Sequence, residues 1–179
     1  SISWRVCHSR SATLAQAGIE THKPMLSVLI INHDTVEATR ACIAALIEAL
    51  PDDAQVSVLD NGSSAADVAQ LAGAIESHSA RLTLSRSSDN LGFAGGMNRL
   101  LETALADPRV DQILMLNSDT LPAPGFIAAM RARLDPGSRT DMIAAQMRNP
   151  DNGAVDSLGI TLYRSTLASN RKRADEILL

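Results

Sequence analysis

The sequence predicts an α/β fold, a mostly parallel central sheet flanked by helices, and three observations predict it. Short β-favouring runs recur at 28–31 (VLII), 56–59 (VSVL) and 113–116 (ILML), and each breaks off into a polar loop. Between them apolar residues return at helical spacing, as at Val36, Ile43, Ile47 and Leu50. Strand and helix then alternate, which calls for right-handed crossovers and gathers the loops that follow the strands along one edge of the sheet.

In chain order, residues 1–24 carry Trp4, Arg5, His8, Arg10 and His22 without sustained periodicity; 12–17 suit a short helix, and the segment is given no role. Residues 25–32 (MLSVLIIN) form the clearest strand, whose continuous apolar run suits a central position covered on both faces. Asp34 or Thr35 is placed to cap the next helix by accepting a backbone N–H, and Pro51 stops it. The second strand ends in Asp60-Asn61-Gly62-Ser63-Ser64. Ser64 and Asp67 have capping-box spacing before a stripe of Val68, Leu71, Ala72 and Ile75. Residues 82–84 give a third strand, and 90–98 (NLGFAGGMN) a glycine-rich loop leading to a helix that carries Leu101, Ala104 and Leu105. After the strand at 113–116 come Asn117-Ser118-Asp119-Thr120. Pro122 and Pro124 then break the chain before a helix on Ile127, Met130 and Leu134, which Pro136-Gly137 ends, and 142–147 (MIAAQM) makes a fifth strand.

The 179 residues, 45% of them hydrophobic, fit one domain with a substantial core. A net charge of -4 excludes the basic surface that phosphate neutralisation requires, so no nucleic-acid partner is expected. Cys7 and Cys42 match no zinc or redox spacing and read as thiols of a cytoplasmic protein. No apolar run approaches the ~20 residues that cross a bilayer, and the first residues lack a signal-peptide core. A soluble chain is expected, with no transmembrane segment. Any membrane contact is peripheral, through Arg171, Lys172 and Arg173, although such a run is more often a solvated helix face.

Asp34, Asp60 and Asp119 all fall at the carboxyl edge of the sheet, where open α/β folds bind ligands. Asp60 can accept hydrogen bonds from a base N–H or ribose hydroxyls, with Gly62 permitting a tight turn; an Asx turn with a helix cap explains the same residues equally well. Gly92, Gly95 and Gly96 let backbone N–H groups approach a phosphate, or serve close packing of helix on strand. Their spacing is not GxGxxG, and the first turn, NHDT, has no glycine, which disfavours a dinucleotide-dependent oxidoreductase. Asn117 and Asp119 form a pair of hard oxygen donors suited to Mg²⁺ or Mn²⁺ shared with a diphosphate; the structural alternative is an Asp that ends a strand and caps a turn. Phe93, beside the glycines, is expected in the core.

With VLIIN, VLDNGSS, DNLGFAGGMNR and LMLNSDT in this order over 25–134, the chain resembles the family 2 glycosyltransferases, most closely their rhamnosyltransferase-like branch of polysaccharide biosynthesis. The resemblance implies the GT-A fold, a UDP- or dTDP-linked nucleotide-diphosphate sugar donor, a divalent cation and a saccharide or lipid-linked acceptor. By that resemblance Asp60 contacts the base or ribose, and Asn32, His33, Asp34, Gly62, Asn90, Gly92, Gly96 and Asn98 line the donor site. Asn117 to Asp119 is the counterpart of the DxD motif, with Asp119 the metal and diphosphate contact. His33 stands where the family usually has Tyr, and Asn117 replaces the first Asp.

The family's catalytic base lies in a later acidic stretch that nothing here matches: Asp151 and Asp156 come early, and Asp175-Glu176 precede only three residues. No catalytic base is assigned. Residues 156–160 (DSLGI) resemble the turn at the entrance to the acceptor half. The expected organisation is a segment of unknown role at 1–24, a donor-binding domain at 25–150 and the start of a truncated acceptor-side region at 151–179. The expected function is inverting glycosyl transfer, in which a base deprotonates an acceptor hydroxyl that displaces the nucleotide diphosphate. The rival is a non-catalytic nucleotide-binding module. An Asp-nucleophile phosphohydrolase ranks below both, because it needs DxD after the first strand and 32–34 supplies Asn-x-Asp.

Overall fold

A computed structural model describes residues 3–6, 25–76, 78, 80–134, 142–157, 160–162 and 168–170. The chain runs β1 (Ser3–Val6), β2 (Met25–Asn32), α1 (Val36–Ala49), β3 (Ala54–Asn61), α2 (Ala65–Glu76), β4 (Leu82–Ser87), α3 (Gly92–Ala106), β5 (Val110–Asn117), α4 (Phe126–Arg131) and β6 (Met142–Ala144). Two short antiparallel pairs follow, β7 (Met147–Arg148) with β8 (Val155–Ser157), and β9 (Ile160–Leu162) with β10 (Ala168–Asn170). The main sheet has the order β4-β3-β2-β5-β1-β6. β4, β3, β2 and β5 are mutually parallel, and β1 pairs antiparallel with β5 and β6.

The continuous apolar run of β2 is explained by cover on both faces. Leu26, Val28 and Ile30 join Ile43 and Leu46 of α1, Leu71 of α2 and Ile127 of α4 in one core; Leu29 joins Leu59, Met97, Leu100 and Ile113 in a second core beneath α3. Alternation of side chains along each strand assigns successive residues to opposite helix layers. Truncating a wholly buried residue such as Leu26 or Leu29 to Ala costs about 2–5 kcal/mol, the lost transfer energy plus that of the cavity.

Several expectations change. The strands at 56–59 and 113–116 extend at both ends to Ala54–Asn61 and Val110–Asn117, and the strand at 82–84 extends at its carboxyl end to Leu82–Ser87, because ladder pairing continues through the flanking polar residues. The glycine-rich segment is not a loop: α3 starts at Gly92 and includes it. Within α3 the buried face carries Gly96, Met97, Leu100 and Ala104, while Leu105 is exposed. Ala72 is likewise exposed on α2, and Phe93 is 60% exposed instead of lying in the core. Residues 142–147 are not one strand but β6 and β7, which belong to different sheets. β1, in the segment given no role and no expected strand, adds a strand because β5 offers it an edge to pair with. Ser64 does cap α2, its hydroxyl accepting the Asp67 N–H at 3.2 Å. Neither Asp34 nor Thr35 caps α1 with its side chain: Asp34 takes a left-handed φ of 51°, and the Thr35 hydroxyl turns to Asn32. Cys7, residues 12–17, Pro136-Gly137, Arg171 to Arg173 and Asp175-Glu176 lie outside the described residues.

Candidate functional site

Parallel pairing fixes the site before any side chain is considered. Asn32 is opposite Asp60, Ile31 is opposite Asn117 and Asp60 is opposite Arg86, so β2, β3, β4 and β5 deliver their carboxyl ends to one edge. Asn32 is the hub. Wholly buried, its amide nitrogen donates to Asp60 Oδ1 at 2.9 Å and to Ser63 Oγ at 3.1 Å, and its oxygen accepts from the hydroxyls of Thr39 at 2.7 Å and Thr35 at 3.4 Å. All the side chain's hydrogen-bonding capacity is therefore used. Asp60, also 0% exposed, takes the Ser63 N–H on Oδ2 at 3.3 Å and has Arg86 Nε at 3.9 Å from the same oxygen. A buried carboxylate with a cation beside it and donors on both oxygens is the arrangement that keeps an ionised group tolerable in a core.

A second set of contacts docks the start of α3 on β3. Asn61 accepts the Leu91 N–H at 3.0 Å and donates to Asn90 Oδ1 at 3.1 Å and to the Gly92 carbonyl at 3.3 Å. Asn90 Oδ1 also accepts the Gly92 N–H at 2.8 Å, and Asn90 Nδ2 lies 2.9 Å from His33 Nε2. Gly62 makes this docking feasible: at φ +84° its Cα faces the next loop so closely that a Cβ there would lie 2.7 Å from Asn90 N and from Asp89 C. Gly96 lets α3 settle on the sheet, where a Cβ would meet Ile31 Cδ1 at 3.1 Å and Leu59 Cδ2 at 3.2 Å. Gly92 at φ +69° opens to space.

At the end of β5 the chain turns through Ser118 and Asp119. The Asn117 carbonyl accepts the Thr120 hydroxyl at 2.7 Å and its N–H at 3.3 Å, with Cys42 Sγ of α1 at 3.7 Å. Thr120 and Cys42 are buried, while the Asp119 side chain stands out in solvent. Burial is the main cause that pushes the Cys42 thiol up to about 11; the Thr120 hydrogen bond works against it and the Asp119 negative charge reinforces it.

The Glycosyl transferase family 2 model matches residues 27–177. The chain belongs to this family. No curated protein matches it. Among solved structures, a mannosyltransferase from Pyrobaculum calidifontis in complex with GDP-Man and Mn²⁺ is similar at TM-score 0.57 and 20% identity, over 74% of this chain and 38% of that one. S. aureus TarS 1–349 is similar at TM-score 0.48 and 18% identity, over 60% of this chain and 31% of that one. The chain thus spans less than two-fifths of the length of either. The α/β architecture, with its four parallel strands between helices, is that of the GT-A fold.

Within this family 2 domain, the residues expected at the donor site occupy three kinds of position. His33, Asp34, Asn90, Gly92 and Asp119 are exposed, Gly62 and Asn117 half-buried, and all of them stand at the carboxyl edge. Asn32, Asp60 and Gly96 stand behind that edge: Asn32 and Asp60 form its buried scaffold, and Gly96 is a packing glycine. Asn98 is exposed further along α3. Asn61, Ser63, Arg86, Thr39 and Thr120 were not singled out by sequence pattern. Their bonds join residues that are 29, 31 or more positions apart in several cases, and periodicity carries no such signal. Among the described residues no group of three or more His, Cys, Asp or Glu surrounds a metal position, and no helix is long and apolar enough to cross a membrane.

Proposed function

We propose that this domain binds the nucleotide-diphosphate sugar of an inverting glycosyltransferase across the carboxyl ends of β2, β3 and β5. The observation that carries the reading is the convergence, in a family 2 chain, of 32–34, 60–63, 90–92 and 117–120 on one edge, the first three joined to one another by side-chain hydrogen bonds and the last set beside them by the pairing of β2 with β5. Such an edge is prearranged, so little ordering cost falls on binding.

Asp119 is the residue that suits a divalent ion. Its carboxylate is exposed, and hard cations such as Mg²⁺ or Mn²⁺ are commonly held by one or two protein carboxylates together with substrate phosphate and water. An ion there supplies positive charge to a departing diphosphate, the kind of electrostatic stabilisation whose loss costs ~3 kcal/mol or more in the barrier. The chain's own part is to hold the Asn117–Asp119 turn in place through Thr120 and to present the amino end of the 15-residue α3, which has no acidic residue in its first turn, toward negative charge. The donor is UDP- or dTDP-linked, the sugar a hexose or rhamnose and the acceptor a saccharide or lipid-linked saccharide of polysaccharide biosynthesis.

Calorimetric titration of UDP, dTDP and GDP, each with and without Mn²⁺, tests this reading. Metal-dependent binding of UDP or dTDP that Asp119→Ala abolishes is expected; nucleotide binding that ignores both the metal and the substitution refutes the role of Asp119.

A further inference from the structure

The hydrogen bonds at this edge also fix the proton of one ring. The Leu91 N–H can only donate, so the Asn61 atom 3.0 Å away is its oxygen and the other Asn61 atom is the NH₂. Asn90 is fixed in turn: the atom receiving both the Asn61 NH₂ and the Gly92 N–H must be Oδ1, which leaves its NH₂ pointing at His33 Nε2 across 2.9 Å. A nitrogen that faces an amide NH₂ at that distance must accept. His33 Nε2 is therefore bare, and the ring proton sits on Nδ1. No protein partner for Nδ1 exists among the described residues, and the His33 side chain is 40% exposed at the edge of the site.

We infer that His33 meets the donor nucleotide as a neutral Nδ1–H hydrogen-bond donor whose tautomer is imposed by the Leu91–Asn61–Asn90 relay. This deepens the function proposed above and rests on it. The ligand atom is an oxygen acceptor, either on the base or ribose or on the diphosphate. The charged group beside the ring is Asp34, whose carboxylate lies 3.8 Å from Nε2 and is 59% exposed. On the neighbouring elements Asp60 and Arg86 face each other at 3.9 Å, and Asp89 accepts from Ser88 at 2.9 Å. Protonation of Nε2 would set N–H against NH₂ and break the link between the β2–α1 loop and the start of α3.

Nitrogen NMR of the ligand-free chain, with the His33 signals identified by their loss in His33→Gln, reads the tautomer directly. The expected result at pH 7.5 is a protonated Nδ1 and a bare Nε2. Asn90→Asp keeps the shape and the acceptor for Gly92 N–H while turning the group facing His33 into an oxygen, so it should move the proton to Nε2. A protonated Nε2 in the wild type, or an unchanged proton position in Asn90→Asp, overturns the relay. With UDP and Mn²⁺ added, the Nδ1 signal should shift, and His33→Phe should bind UDP about tenfold more weakly, the loss of one hydrogen bond. A shift produced by uridine alone assigns the contact to base or ribose, and one that needs UDP assigns it to phosphate. Equal UDP affinity in wild type and His33→Phe refutes the inference while the donor site stands. Failure of the wild type to bind any nucleoside diphosphate refutes the donor site itself.

Discussion

Gly62→Ala is the substitution for which the structure gives the clearest energetic expectation. The new Cβ would lie 2.7 Å from Asn90 N and Asp89 C, both backbone atoms, whereas ordinary contact begins near ~3.5 Å. Backbone cannot swing aside as a side-chain end can, so the 89–90 loop must retreat by roughly the missing ~0.8 Å. Retreat stretches the Asn61–Asn90, Leu91–Asn61 and Asn61–Gly92 hydrogen bonds, already 3.1, 3.0 and 3.3 Å long, beyond useful range. At about 1 kcal/mol each, partial loss of the three amounts to ~1–3 kcal/mol. Holding Ala at φ +84° adds ~1 kcal/mol. The expected destabilisation is about 2–4 kcal/mol, which for a domain of this size lowers Tm by roughly 5–15 °C. Urea unfolding followed by circular dichroism measures it. A loss below ~0.5 kcal/mol would refute the close docking of this loop on β3.

Gly96→Ala should differ sharply, staying within ~1 kcal/mol of wild type: its Cβ meets side-chain atoms alone, the methyl ends of Ile31 and Leu59 and, at an ordinary 3.5 Å, Asn61 Cγ, and the helix propensity gained, ~1 kcal/mol, offsets the adjustment of the two methyls. Thermal unfolding of the two variants side by side checks the contrast. Asn32→Leu removes a donor from the buried Asp60 carboxylate and should cost about 3 kcal/mol in urea unfolding, an effect of the scaffold and not of the ligand. The Cys42 thiol binds its proton more tightly in the folded chain, at about 11 against 9.0, so its contribution to stability is complete below pH 9 and is lost as pH rises toward 11. Between pH 8.5 and 11, wild type should lose about 2–3 kcal/mol more than Cys42→Val, the difference cancelling every other titrating group.

Much of this fold was legible because the polar breaks after VLII, VSVL and ILML mark strand ends, and parallel strands must deliver those ends to one edge. That placed His33, Asp34, Asp60 and Asp119 on the same side of the sheet without any knowledge of contacts, whereas Asn90 was placed there by the family resemblance. The start of α3 was not legible: three glycines lower helix propensity, but Gly96 gains a close seat against Ile31 and Leu59 that overrides it. For the same reason Phe93, expected inside, is carried on the outer side of the first turn. β1 was invisible because a four-residue strand carries too little pattern and owes its existence to the edge of β5. The distinction between Asn32 and Asp60 as buried scaffold and Asp119 as exposed carboxylate depends on tertiary bonds, as does the role of Asn61 in holding Asn90.

The central claim, that a nucleoside diphosphate and a divalent ion share the carboxyl edge at Asp119, is tested most directly by Mn²⁺ broadening of backbone amide NMR signals with UDP present. The account predicts selective broadening at 117–120, 32–34, 60–63 and 90–92, absent in Asp119→Ala, with Met25, Ala54 and Val110 at the opposite ends of the strands unaffected. Broadening centred on those opposite ends, or unchanged by Asp119→Ala, would contradict it.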